Sequence, residues 1–225
     1  MMMDNLDTAG MAGEIVDTCR AMMSTGLVVG TWGNVSRRCS PESFQITPSG
    51  VPYNELLPED LVTVNLQTGS CSGRLCPSTE TPLHVAIYRR RPDVGAIVHT
   101  HSPYAAVFAV NRIEIPPLLE EMAQLMGGSV RVAPYAAPGS AELAEGAVDA
   151  LQGRAAVLLA NHGLVGVGHT LRDALTVCQV VEKSAQVFLW AKLSGSPHLL
   201  DEQEVQELRR GFLQNYGQPG TGARQ

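Results

Sequence analysis

The sequence has no excess of positive charge: 16 Lys and Arg stand against 22 Asp and Glu, a formal net charge of −6. That excludes a surface holding nucleic acid by overall charge. No apolar run approaches the roughly 18 residues a membrane span needs, so no membrane partner is expected. The opening Met1-Met2-Met3-Asp4-Asn5-Leu6-Asp7 has neither a basic region nor an apolar stretch, so no secretory signal is expected. The five cysteines (Cys19, Cys39, Cys71, Cys76 and Cys178) fall at irregular positions that do not suggest a disulfide framework. The expected compartment is therefore the cytoplasm. No repeat recurs at a fixed period. Neither GxGxxG nor the phosphate-binding GxxxxGK motif occurs, so neither common nucleotide site is supported.

What is present describes a globular protein. Of the 225 residues, 44% are hydrophobic and 17% charged, and one domain is the first expectation at about 150 residues per domain. A chain of this size buries about 70% of its unfolded surface and needs no staple. Helical spacing runs over Ala12–Met23, Ser140–Leu151, Leu171–Leu193 and Glu202–Leu213. Shorter helices are expected over Pro77–Tyr88, with Pro in the opening turn, and over Ser102–Val110 and Leu118–Met126. Strands are expected at Phe44–Ile46, Leu61–Leu66, Val94–His101, Val130–Pro134, Ala155–Ala160 and Leu164–Val167. Two glycines three apart make Gly30–Ser36 read as a turn. Irregular alternation of the elements favours a mixed sheet flanked by helices over a regular βαβ series. Arg89-Arg90-Arg91 reads as a solvated helix end, Met122 and Met126 as core, and Cys178 as a buried, inert thiol.

The chemistry concentrates at His99-Thr100-His101, the polar end of an apolar strand. Residues i and i+2 of a strand share a face, so both imidazoles can converge on one point. His162 ends another apolar strand. Three histidines would leave a divalent ion with open positions, as catalytic sites require. Spacing alone favours the metal reading, with ordinary strand-end and turn histidines as the alternative for a motif this short. Glu80 is the natural carboxylate companion, though an acidic residue in a first helical turn is also ordinary capping. His84, one turn on, reads as a packed or surface residue rather than a ligand. Gly33-Asn34, Ser49-Gly50 and Ser78-Thr79 each precede an element. Together they suit a phosphate monoester, and separately each is a turn or a cap.

Taken in order, Gly33-Asn34-Val35-Ser36, Ile46-Thr47-Pro48-Ser49-Gly50, Pro77-Ser78-Thr79-Glu80, Ile97-Val98-His99-Thr100-His101 and Asn161-His162-Gly163-Leu164 resemble the class II aldolase family. That family includes fuculose-phosphate aldolases and ribulose-phosphate 4-epimerases and is related to the adducin head. The likeness runs from about residue 10 to about residue 217. It implies a single-domain αβα sandwich around a central, largely antiparallel mixed sheet (residues 1–217), followed by a flexible tail (218–225). It also implies a four-fold symmetric homotetramer with its sites at subunit interfaces.

By the same resemblance His99, His101 and His162 match the ligands of one divalent ion. Zinc is expected, although manganese, cobalt or iron suit three imidazoles too. Glu80 matches a resting-state ligand and catalytic acid/base. Gly33, Asn34, Ser49, Gly50, Ser78 and Thr79 match the phosphate pocket. Tyr216 falls where a functional tail tyrosine lies, ordered over the neighbouring site. Two departures stand out. Glu121 occupies the place of a tyrosine proton donor, and an aromatic expected near Ala137-Pro138 is missing. The implied activity is reversible cleavage of a ketose 1-phosphate to dihydroxyacetone phosphate and an aldehyde, with Glu121 or Tyr216 as second proton-transfer group. A glutamate in this region resembles the methylthioribulose-1-phosphate dehydratases of the family and also some of its aldolases that cleave deoxypentulose phosphates. Glu80, where the epimerases carry aspartate, argues against epimerase chemistry. The intact ligand set argues against a silent adducin-like module.

Overall fold

The computed structural model describes residues 3–215; Tyr216 and the 218–225 tail lie outside the described residues. Its eight strands are β1 (Asn34–Ser40), β2 (Ser43–Ile46), β3 (Val62–Asn65), β4 (Cys71–Ser72), β5 (Ala96–Thr100), β6 (Arg131–Ala133), β7 (Ala156–Leu159) and β8 (Gly163–Gly168). They form one sheet in the order β4-β3-β2-β1-β5-β8-β7-β6. Every neighbouring pair is antiparallel except β6 with β7. The helices are α1 (Met3–Ser24), α2 (Thr81–Arg90), α3 (Pro103–Asn111), α4 (Glu120–Met126), α5 (Ala141–Leu151), α6 (Leu171–Ser194) and α7 (Glu202–Asn215). The expected helix-flanked, largely antiparallel mixed sheet is the architecture found.

Alternation along the strands builds two cores, one on each face of the sheet. Ala96 and Val98 of β5 pack with Ile15 and Cys19 of α1, Phe108 of α3, Met122 and Met126 of α4, and Val177 and Cys178 of α6. Ile97 points the other way, into a cluster with Leu83 and Ile87 of α2 and Leu143 and Leu151 of α5. Each such fully buried aliphatic side chain contributes about 1.5–3 kcal/mol. Local caps fix the helix starts: the Ser140 hydroxyl accepts from the Leu143 N–H, and Thr170 with Asp173 forms a capping box on α6. The backbone N–H groups of Tyr104 and Ala105, at the start of α3, donate to the Glu182 carboxylate of α6 at 2.9 and 2.8 Å. That ties the turn after β5 to α6.

Two expectations are revised. Gly30–Ser36 is not only a turn, because β1 begins at Asn34 and pairs with both β2 and β5. Its alternate residues Asn34, Ser36 and Arg38 are polar, which hides the strand from an apolar pattern; their partners lie on α2. The arginine run at the end of α2 is also more than a solvated face. Arg89 donates to the Leu66 carbonyl at 2.7 Å, and Arg91 holds Asp93 through two bonds of 2.8 Å.

Candidate metal centre

β5 and β8 lie side by side with His99 opposite Val165 and Thr100 opposite Leu164. His101 follows the last residue of β5, two positions from His99. β7 and β8 are joined through a tight turn in which Asn161 takes a left-handed conformation (φ 56°), and this turn brings His162 to the same end of the sheet. Gly163 makes the approach possible: a Cβ there would lie 2.4 Å from the Thr100 carbonyl oxygen and 3.0 Å from Cε1 of His99. The three rings stand edge-on to one another, with centroids 4.9, 4.9 and 5.0 Å apart. One ligand atom from each lies within 4.8 Å of the others, a group that could hold a metal ion.

Glu80 completes the cluster. It occupies the N-cap of α2, yet its carboxylate caps nothing there. Instead Oε2 lies 3.0 Å from Nε2 of His99, and Oε1 lies 3.3 Å from Nε2 of His162. The Asn34 amide donates to Oε2 at 2.9 Å. Ordinary capping is therefore not the role of Glu80 in this fold.

The protonation pattern follows from the neighbours. Nδ1 of His99 donates to the Leu164 carbonyl at 3.0 Å, leaving the Nε2 lone pair for the cluster. Burial, with His99 and His162 adding to it, pushes His101 down to about 4, and burial likewise lowers His162. Burial disfavours ionised Glu80, but His99, His162 and the Asn34 amide outweigh it and hold the carboxyl below the ordinary carboxylate range. Glu80 Oε1 is buried without a hydrogen bond. Imidazole nitrogens beside such an acceptor form a nitrogen-and-oxygen donor set that fits a divalent transition ion.

The expected phosphate segments are also brought together. The residue 47–50 and 76–79 loops run side by side through a Pro48–Pro77 bridge, with Ser49 N–H donating to the Cys76 carbonyl and Ser78 N–H to the Thr47 carbonyl. Thr47 joins this pair to β1 by bonding the backbone of Val35 in both directions. Ser49, Gly50 and Thr79 are exposed, while Ser78 is buried. Gly33, at φ 124°, lies so close to the His99 carbonyl that a Cβ would stand 2.7 Å from it. Asn34 differs from the others, because its side chain is committed to Glu80 and His84.

Glu121, at the start of α4, is joined to Lys183 of α6 at 2.6 Å rather than to the histidines. Tyr216 lies outside the described residues. Sequence reasoning placed His84 among packed or surface residues rather than ligands, and it is completely buried behind Glu80; what that reasoning missed is its bonds to Asn34 and Ser36. It also passed over Trp32, exposed, with its ring centroid 6.0 Å from that of His101.

Comparison with known proteins gives this arrangement a lineage. The family described as Class II Aldolase and Adducin N-terminal domain matches residues 13–189. The chain belongs to this family. It is 41% identical over 206 residues to a 5-deoxy-D-ribulose 1-phosphate aldolase of Bacillus thuringiensis serovar kurstaki, covering 91% of this chain and 96% of the relative. It is 36% identical over 208 residues to the L-fuculose phosphate aldolase of Escherichia coli K12, covering 92% and 95%. A solved L-fuculose 1-phosphate aldolase superposes with a TM-score of 0.87 at 35% identity, covering 90% of this chain and 96% of the other.

Proposed function

We propose that the protein is a metal-dependent aldolase that reversibly cleaves a ketose 1-phosphate, of the 5-deoxyribulose or fuculose 1-phosphate type, to dihydroxyacetone phosphate and an aldehyde. The observation that carries this reading is the meeting of three imidazoles and a buried carboxylate at one end of the central strands. His99, His101 and His162 would hold the ion, with zinc the first candidate and Glu80 alongside. When bound, the ion supplies Lewis-acid stabilisation of the negative charge that develops as the carbon–carbon bond breaks.

The remaining steps belong to the chain. The loops carrying Gly33, Ser49, Gly50, Ser78 and Thr79, with the Asn34 backbone, grip the phosphate through backbone N–H groups and hydroxyls, fixing C3 and C4 over the histidines. A base takes the proton from the C4 hydroxyl and C3–C4 breaks; that proton returns through solvent to the Glu80 carboxylate, which passes one proton to C3 and is ionised again. In the condensation direction ionised Glu80 takes that proton back. Glu121 or Tyr216 of a neighbouring subunit is the candidate C4-hydroxyl base, which makes the working unit an oligomer, a homotetramer in this reading. The expected compartment is the cytoplasm, and no helix among the described residues is long and apolar enough to cross a membrane.

Purified protein incubated with 5-deoxyribulose 1-phosphate and with fuculose 1-phosphate should release dihydroxyacetone phosphate from at least one of them. Turnover should stop on chelation and return with zinc. Full turnover after verified removal of all metal sinks the proposal, and a product lighter by one water with no aldehyde replaces it with a dehydratase.

A further inference from the structure

The polar face of β1 meets a polar stripe of α2. Asn34, Ser36 and Arg38 recur every second residue along the strand, while Glu80, His84 and Tyr88 recur every fourth along the helix. The two rows interlock. Nε2 of His84 lies 2.6 Å from Oδ1 of Asn34, and Nδ1 of His84 lies 2.6 Å from the Ser36 hydroxyl. The Ser36 hydroxyl lies 2.9 Å from the Tyr88 hydroxyl. The Arg38 guanidinium stacks 4.7 Å above the Tyr88 ring and donates to the Tyr88 carbonyl at 2.8 Å. His84 and Ser36 are wholly buried, Tyr88 and Asn34 nearly so.

Each bond in this row has only one self-consistent direction. An ionised Glu80 accepts only, so the Asn34 NH2 group must face it. Oδ1 of Asn34 then faces His84 and needs a donor, which puts the His84 proton on Nε2. Nδ1 of His84 must accept from Ser36, and Ser36, its hydrogen used, accepts from the Tyr88 hydroxyl. Burial keeps His84 neutral, pushing it down to about 3, so a second ring proton does not compete. A chain of donors thus runs from Tyr88 through Ser36, His84 and Asn34 to the Glu80 carboxylate.

We infer that His84 is a positioning residue for the aldolase site: by fixing the Nε2–H tautomer it locks the Asn34 amide with its NH2 group toward Glu80 and so holds the Glu80 carboxylate in its working orientation. Without that donor the amide gains nothing by keeping its orientation. An amide turned by half a rotation sets an oxygen against the Glu80 oxygen. A partner one hydrogen bond from a metal-site carboxylate, as Asn34 is, typically changes affinity or activity by about 10- to 100-fold, and His84 acts through that partner. The inference rests on the placement of Glu80 at the metal centre proposed above.

The test compares the wild type with His84→Leu, which removes both ring partners, and His84→Gln, whose side-chain amide keeps a donor near the Nε2 position. Zinc affinity by chelator competition, kcat and KM for the ketose 1-phosphate, and thermal midpoint are measured on each. His84→Leu should lose about ten-fold or more in kcat, weaken zinc binding several-fold and leave KM within about three-fold; His84→Gln should recover most of both losses. A purely structural role predicts instead that kcat and zinc affinity stay at wild-type values below the melting range, and that result overturns the inference. So does a folded His84→Gln no better than His84→Leu. Should His84→Leu fail to fold, long-range 1H–15N spectra of the wild type decide: a protonated Nε2 and a bare Nδ1 at His84 support the inference, and the opposite tautomer or an imidazolium at neutral pH overturns it. A wild type without aldolase activity refutes the functional reading, while zinc affinity and tautomer still judge the role of His84.

Discussion

Gly163→Ala adds one methyl group to the most crowded point of the candidate site. The added Cβ would stand 2.4 Å from the Thr100 carbonyl oxygen, about 1 Å inside ordinary contact. No rotamer relieves this clash, because the obstructing atom is backbone in the middle of the β5–β8 pairing, with His99 Cε1 and His101 Cδ2 only 3.0 and 3.2 Å away. Relief requires the two strand ends to part, and they carry all three imidazoles. Overpacking of this kind costs about 1–3 kcal/mol. A displacement approaching 1 Å at the ligands should weaken metal binding by about 10- to 100-fold, or roughly 1.4–2.8 kcal/mol. Gly13→Ala supplies the contrast: Gly13 is inside α1 and a Cβ there meets nothing within 4 Å. That substitution should stabilise the protein by about 0.5–1 kcal/mol and leave metal affinity unchanged. Denaturant titration gives the stabilities, and competition with a chelating indicator gives the affinities. A Gly163→Ala protein with wild-type zinc affinity and stability would refute the packing argument.

Two further outcomes follow from the charges. The metal-free protein should lose stability as pH falls from about 6.5 toward 3, because His84 and His101 stay neutral in the fold down to about 3 and 4 but protonate near 6.5 when unfolded. The unfolded state binds more protons in that window, so the slope is roughly 1 kcal/mol per pH unit for fully buried His84 and smaller for partly exposed His101. Urea midpoints across pH 4–8 check it, and a flat profile contradicts it. Glu121→Gln should lower kcat by about 10²-fold or more if this carboxylate is the second proton-transfer group. It should leave zinc affinity unchanged and stability within about 1 kcal/mol, since the Glu121–Lys183 pair is largely exposed. Wild-type kcat in that variant would assign the step elsewhere, with Tyr216→Phe the next variant to assay.

Much of this was legible in advance for a physical reason. The strand-end histidines follow short continuous apolar runs, the mark of strands buried on both faces, and α5 and α6 begin at Ser140 and at the Thr170–Asp173 pair. β1 did not, because a strand buried against polar partners carries no apolar alternation. His84 was hidden for the complementary reason: its value lies in Asn34 and Ser36, 50 and 48 residues away in the chain, and no local spacing records that meeting. Glu80 was ambiguous until its carboxylate was seen turned away from the helix end it begins.

The bond from Nδ1 of His99 to the Leu164 carbonyl spans 65 residues and sits at the alignment of the neighbouring strands β5 and β8. Sliding β5 by a single residue would exchange its two faces and carry His99 from the α2 side to the α6 side. Cation affinity in this molecule is therefore close to all-or-none with respect to strand alignment. A trapped misfolded species should bind no zinc tightly, which makes metal uptake a gauge of how much of a preparation has its sheet correctly assembled.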